Sequence, residues 1–187
     1  HELNSKSSEV IFEDDNVFVK TIPLSHRIYT NGFLFAEKEG LRQLDINAVL
    51  NQNIHKVYYN KLKQGADVTN EDGKIIKNNT VTKPPKLPKS YAFCSDTRFD
   101  EGLVKIIHGV TALYHESTFL EQHAHLAEPT GHSSAKQAAE IAKLAKVGQL
   151  ILGHYSTRYD DLSQFKSEAS EVFEKVILAR DGKTITI

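Results

Sequence analysis

From Val10 onward, short apolar runs alternate with clusters of turn residues. VIFE and VFVKTI flank Asp14, Asp15 and Asn16, which predicts a β-hairpin. Pro23 closes its second strand, a loop containing Ser25, His26 and Arg27 follows, and GFLFAE predicts a third strand. The first ten residues are polar and expected to fray.

Between Glu37 and Lys89 the pattern loosens. Leu41, Leu44, Ile46, Val49 and Leu50 give weak helical spacing, and Gly65 and Asp72-Gly73 punctuate short apolar pieces. This predicts an inserted, arm-like segment over residues 37–89 of a single domain spanning 1–187. Lys74, Lys77, Lys83, Lys86 and Lys89 end the segment with no acidic residue among them. Such a run either contacts phosphates or forms a solvated loop held extended by Pro84, Pro85 and Pro88.

After Lys89 the order becomes regular. SYAFCS is a strand, Asp100 to His108 a short helix, TALY a strand, Ala135 to Val147 a helix, QLILG a strand, Asp161 to Phe173 a helix and VILA a strand. TITI, beyond Asp181-Gly182, is expected to pair with VILA as a hairpin. Small residues at Ala138, Ala139, Ala142 and Ala145, with Ser133 or Ser134 as N-cap, suit a helix packed closely on a sheet. Alternation of this kind predicts an α/β fold with a largely parallel sheet faced by helices.

That topology gives chemistry to the residues behind the strands. Asp96, His115 and His154 follow three of them, so their side chains would meet at one sheet edge, where open α/β sheets hold ligands. His132 precedes the Ala135 helix, whose N-terminus favours an anion. Carboxylate and imidazole suit zinc or another borderline metal. Each residue also has a plain alternative: Asp96 as a helix cap, His115 and Glu116 as a loop pair, His26 and His154 as hydrogen-bonded strand-end histidines. Their joint fall on one edge favours a site. His123 and His125 form an H-x-H with no D-H behind it, and are read as a loop pair.

Composition narrows this little. The 187 residues, 40% of them hydrophobic, suffice for one ordinary domain. A formal net charge of -1 excludes a global basic field, so nucleic acid would need a local patch. The single Cys94 excludes an internal disulfide framework and is read as a small buried hydrophobe. No apolar run is long enough to span a bilayer and HELNSKSSEV lacks a secretory pattern, so no membrane partner and a cytoplasmic location are expected. No G-x-S-x-G elbow supports a serine nucleophile.

The ordered set LSHRIYTNGFLF, CSDTRF, HESTF, GHSSAKQAAEIAK and LGHYSTRY resembles the C-terminal half of the ribonuclease Z family of tRNA 3′-end endonucleases, members of the metallo-β-lactamase superfamily. The resemblance covers most of the chain from Thr21. It implies half of an αββα sandwich with a mixed sheet. It also implies two Zn2+ ions in the complete site, incomplete or absent in this chain alone, with His26 and His154 as ligands to one ion each and Asp96 bridging them. His132, with Glu116 and His115 of the HESTF loop, would act on the catalytic side near the scissile phosphate. Arg158 and the lysine run (Lys74, Lys77, Lys83, Lys86 and Lys89) would hold RNA, the partner being precursor tRNA and the enzyme a homodimer. The arm lacks the family's Gly-Pro pair, and the superfamily's H-x-H-x-D-H motif occurs nowhere in the 187 residues. The chain is therefore expected to be half of a longer enzyme, inactive alone and prone to self-association through its uncovered sheet face. A related metallo-hydrolase of small phosphodiesters and a non-catalytic RNA-binding module are the alternative readings.

Overall fold

The computed structural model describes residue 3 and residues 6–187. Within them the chain divides into two compact units: one runs up to Glu37 and resumes over Lys89–Ile187, and the other is Lys38–Pro88.

The first unit begins with the predicted hairpin, β1 (Val10–Glu13) and β2 (Val17–Pro23), followed by β3 (Asn31–Glu37). Asp14 Oδ1 closes the turn by accepting from the backbone N–H of Asn16 and Val17. The fraying expected of the first ten residues fails at its end: the Glu9 N–H donates to Thr21 Oγ1 at 2.9 Å, and Thr21 N–H donates back to the Glu9 carbonyl. Residues 1, 2, 4 and 5, for which fraying was also expected, lie outside the described residues.

The Lys38–Pro88 unit contains β4 (Gln43–Leu44), α1 (Ile46–Asn51), α2 (Tyr59–Lys63), β5 (Val68–Thr69), β6 (Ile75–Ile76), α3 (Asn78–Val81) and β7 (Thr82–Lys83). The segment read as irregular therefore has its own small core, built from Val49, Ile54, Leu62, Val68, Ile76 and Val81. Polar anchors replace long elements here. Asp45 caps α1 by accepting from Ala48 N–H, and buried Asn78 donates to the Leu62 and Ala66 carbonyls.

The chain then returns through β8 (Ser90–Cys94), α4 (Leu103–Ile106), β9 (Ala112–Glu116), α5 (Ala124–Thr130), α6 (Ala135–Leu144), β10 (Leu150–Gly153), α7 (Ser163–Ser170) and β11 (Val176–Leu178). Together with the N-terminal strands they form a seven-stranded mixed sheet in the order β1-β2-β3-β8-β9-β10-β11. β1 through β8 pair antiparallel, and β8 through β11 pair parallel, as the βαβ alternation predicts. One sheet face buries Leu113, Leu150 and Leu152 against Ala138, Ala139, Ile141 and Ala142 of α6 and Phe165 of α7. Ser134, two residues after His132, caps α6 through a capping box with Gln137, which fixes the helix start at Ala135.

One predicted element is absent. Residues 184–187 form no strand with β11; Ile185 and Ile187 instead line a cleft with Val17, Phe35 and Tyr91 on the other sheet face. The Asp181-Gly182 turn does form, with Gly182 at φ 74°. Apolar aromatic surface on that face offers the two isoleucines burial that the short β11 edge does not.

Candidate metal centre

The site is assembled where β2, β8, β9 and β10 run out. Asp96 stands two residues past β8 and His154 one residue past β10, both in the left-handed region, at φ 57° and 59°. Only a surrounding structure that over-determines such conformations keeps non-glycine residues there, so both side chains are held against local preference. The result is an approach of His154 Nε2 to Asp96 Oδ1 at 3.3 Å. Gly153 makes the exit of β10 possible: a Cβ there would sit 2.3 Å from the Tyr114 hydroxyl.

His26 and His132 arrive from loops. The His26 loop is tied to the β8 exit, since Arg98 N–H donates to the Ser25 carbonyl at 2.8 Å and Ser25 N–H to Thr97 Oγ1 at 3.2 Å. His26 Nδ1 donates to the Gly131 carbonyl at 2.7 Å. Gly131 caps α5 with φ 83°, and a Cβ on it would come 2.6 Å from that same Nδ1. The His132 ring lies 5.1 Å from the His26 ring and 5.2 Å from the His154 ring, centroid to centroid.

Glu116 is the buried hub below these rings. Its Oε1 accepts from Thr97 N–H at 2.9 Å and His132 Nδ1 at 2.7 Å. Its Oε2 accepts from Thr118 N–H at 3.1 Å, the Thr118 hydroxyl at 2.7 Å and Ser133 N–H at 3.1 Å. With its proton given to Glu116, the Thr118 hydroxyl oxygen accepts from His154 Nδ1 at 2.8 Å. All three histidines are thus anchored through Nδ1 and keep Nε2 for a ligand, the arrangement that orients metal-binding imidazoles.

These donors fit a metal. His26, Asp96 and His132 each offer a ligand atom, all within 4.8 Å of one another, as do Glu116, His132 and His154. In the second group, hydrogen bonds already occupy both Glu116 oxygens, so that carboxylate reads as an orienting group. His154 beside Asp96 extends the first group to three imidazoles and one carboxylate, a borderline donor set.

The remaining expected residues are placed as follows. His115 does not reach the edge. It lies within β9, fully buried, with Nδ1 donating to the Glu116 carbonyl and Nε2 unpartnered among the described residues. Burial lowers its pKa from the ordinary imidazole value. Arg158 is exposed, its guanidinium 5.4 Å over the Phe119 ring, which in turn lies 6.5 Å from the His132 ring. Lys74, Lys83 and Lys86 are exposed in the second unit, and Lys77 there is paired with Asp67 at 2.8 Å, an acid outside the one-signed run. That hydrogen bond raises the Lys77 pKa and lowers that of Asp67. Lys89 belongs to the first unit and contacts the Ile187 backbone oxygen. His123 of the H-x-H pair is held by the Tyr159 hydroxyl at 2.7 Å.

Thr97, Thr118 and Gly131 carry much of the geometry and were not singled out in the sequence, while Ser133, named there only as an N-cap candidate, donates to Glu116 Oε2 and to the Thr97 carbonyl. Thr118 had a signal: Glu116 and Thr118 are two positions apart at a strand end, so both side chains leave on the same side. Thr97 and Gly131 gave none, because their partners are distant in the chain.

No family model matches the chain. A curated protein named Ribonuclease Z from Phocaeicola vulgatus is 43% identical over 180 residues, a match covering 96% of this chain and 58% of that protein. Another of the same name from Porphyromonas gingivalis is 43% identical over the whole chain and 62% of its own length. The chain thus spans about three fifths of the curated relatives it matches. Among solved structures, the metallo-beta-lactamase fold protein YhfI from Bacillus subtilis superposes with a TM-score of 0.60 at 13% identity, over 94% of this chain and 51% of YhfI. Human tRNase Z, short form, superposes with 0.58 at 23% identity, over 96% of this chain and 47% of that one. Over its whole length the chain is a homologue of the Ribonuclease Z proteins, and its mixed sheet and covering helices have the metallo-beta-lactamase fold.

Proposed function

We propose that this chain carries part of the active site of a zinc-dependent endoribonuclease that cleaves precursor tRNA at its 3′ end. The convergence of His26, Asp96, His132 and His154, each imidazole anchored at Nδ1, is the observation that carries the reading. The Ribonuclease Z name of relatives similar along the whole chain supplies the substrate class.

In this reading His26, Asp96 and His154 would hold the zinc. Zinc, when bound, supplies Lewis-acid polarisation of the scissile phosphodiester. The chain's own residues do the rest. Glu116 aims His132 by accepting its Nδ1 proton, so a second proton carried at Nε2 is the one available to the departing ribose oxygen. His115, buried beneath, keeps the Glu116 backbone in place through its carbonyl. Arg158, braced on Phe119, offers a guanidinium to a phosphate beside His132. The Lys38–Pro88 unit serves as an RNA-clamping arm, with Lys74, Lys83 and Lys86, among the described residues, without the carboxylate pairing that engages Lys77. The complete enzyme works as a cytoplasmic homodimer; no helix of the described residues is long and apolar enough to cross a membrane.

Three protein ligands shared by two ions leave most coordination positions to donors beyond His26, Asp96 and His154. This 187-residue chain is therefore expected to hold at most an incomplete zinc set and to cleave negligibly by itself. Calorimetric zinc titration of the chain and of Asp96→Ala and His154→Ala tests the reading. Loss of zinc binding in both variants supports it. Unchanged zinc binding in both, or efficient precursor-tRNA cleavage by a metal-stripped sample, overturns it.

A further inference from the structure

A second concave surface lies between α7 and the sheet edge at β11, a cleft of about 680 Å³. On α7, Ser163, Lys166, Ser167 and Ser170 line it. Their i, i+3, i+4, i+7 spacing is that of a helix face that ordinarily turns inward, yet here it is polar and basic. Phe165 and Ala169 turn the opposite way into the core, so the helix has a core-facing stripe and a separate wall for this cleft. Arg180 and Lys183 close the other side, and Ile177 and Leu178 form an apolar floor.

Three cations face this cleft and no acidic residue lines it. Lys166, Arg180 and Lys183 are exposed, and among the described residues none is paired with a carboxylate. In a chain of net charge -1, this concentration is local. A second cleft, of about 530 Å³, includes His154, Gly153, Tyr114 and Tyr155, and Arg180 lines it too. One guanidinium thus stands at the junction between the candidate metal centre's His154 and the basic cleft.

We propose that the α7–β11 cleft binds consecutive backbone phosphates of an RNA strand that passes His154 and turns at Arg180. Lys166, Arg180 and Lys183 neutralise the phosphates. The serine hydroxyls add hydrogen bonds, and Ile177 and Leu178 receive the sugars. The identity of the polymer rests on the endoribonuclease reading; the cationic walls do not.

Fluorescence anisotropy with a short labelled single-stranded RNA, in chelator and across a salt series, tests the site in K166A/R180A/K183A. Counterion release from single strands predicts a salt-dependence slope shallower by about 2 and an affinity at least about 10-fold weaker at low salt. The charge-conserving K166R/K183R variant should bind like the unmodified chain, and circular dichroism checks that each variant is folded. Equal slopes and affinities for the folded triple variant and the unmodified chain overturn the proposal. So does weakened binding of inorganic phosphate alone with RNA binding intact, which would mark a small-anion site. Zinc titration is read separately. Zinc binding unchanged by Asp96→Ala and His154→Ala, together with the salt effect, sinks the hydrolase reading and leaves this cleft standing, whereas zinc binding lost in both variants without the salt effect sinks only the cleft.

Discussion

Glu116 Oε1 accepts a hydrogen bond from His132 Nδ1 at 2.7 Å, joining a fully buried carboxylate to a ring at the edge of the sheet. The same carboxylate receives four further hydrogen bonds from Thr97, Thr118 and Ser133. Removing it strands several buried donors at once. Glu116→Ala is expected to lower stability by about 3 kcal/mol, read by urea unfolding. Glu116→Gln keeps the shape but replaces one acceptor with a donor, and should cost less stability while still misdirecting His132. Equal stability of Glu116→Ala and the unmodified chain would contradict the hub role.

Thr118 couples that hub to His154. Because its hydroxyl gives its proton to Glu116 and receives one from His154 Nδ1, the ring is held with Nε2 toward Asp96. Thr118→Val preserves volume and removes both bonds. Zinc affinity measured by calorimetry should fall about 10-fold, within the range seen when outer partners of metal-binding histidines are lost. Thr118→Ser should restore it, since the serine hydroxyl can make both bonds.

Gly131 fixes His26 in two ways, through its carbonyl and through its missing side chain. Gly131→Ala places a Cβ 2.6 Å from His26 Nδ1 and forces an L-residue to φ 83°. A loss of more than about 1 kcal/mol is expected, together with a displaced His26 and weaker zinc binding. His26→Ala relieves the clash, so the double variant should recover part of the stability but none of the metal affinity.

Cys94 and His115 are partners across β8 and β9, and both are fully buried. Burial pushes the thiol up from 9.0 to about 12 and lowers the imidazole from 6.5. Above pH 9.0 the unfolded chain releases the Cys94 proton that the folded chain keeps, so folding loses about 1.4 kcal/mol per pH unit from this group. Below pH 6.5 the unfolded chain takes up a proton that folded His115 refuses, and stability falls again. Melting temperatures across pH should show a plateau between these limits. Cys94→Ala should flatten the alkaline side relative to the unmodified chain, and His115→Gln the acid side.

The sequence by itself determined the elements whose information is local. The apolar runs VIFE and VFVKTI, the turn at Asp14, the small-residue stripe of α6 and the strand–helix order after Lys89 are each set within a few residues, and each was legible. The parallel order also brought Asp96 and His154 to one edge, because parallel strands end on the same side. Tertiary structure decided the rest. β9 runs two residues beyond the predicted TALY, so His115 is held inside the strand while Glu116, its neighbour, feeds the site. The Lys38–Pro88 unit gained a core from apolar residues too scattered to show a period, and Ile185 and Ile187 left the β11 edge for an aromatic face. Above all, the Nδ1 anchors of His26, His132 and His154 come from Gly131, Glu116 and Thr118, chosen by folding across long chain separations. Residue type and spacing could name the imidazoles; only packing could say which nitrogen each one presents.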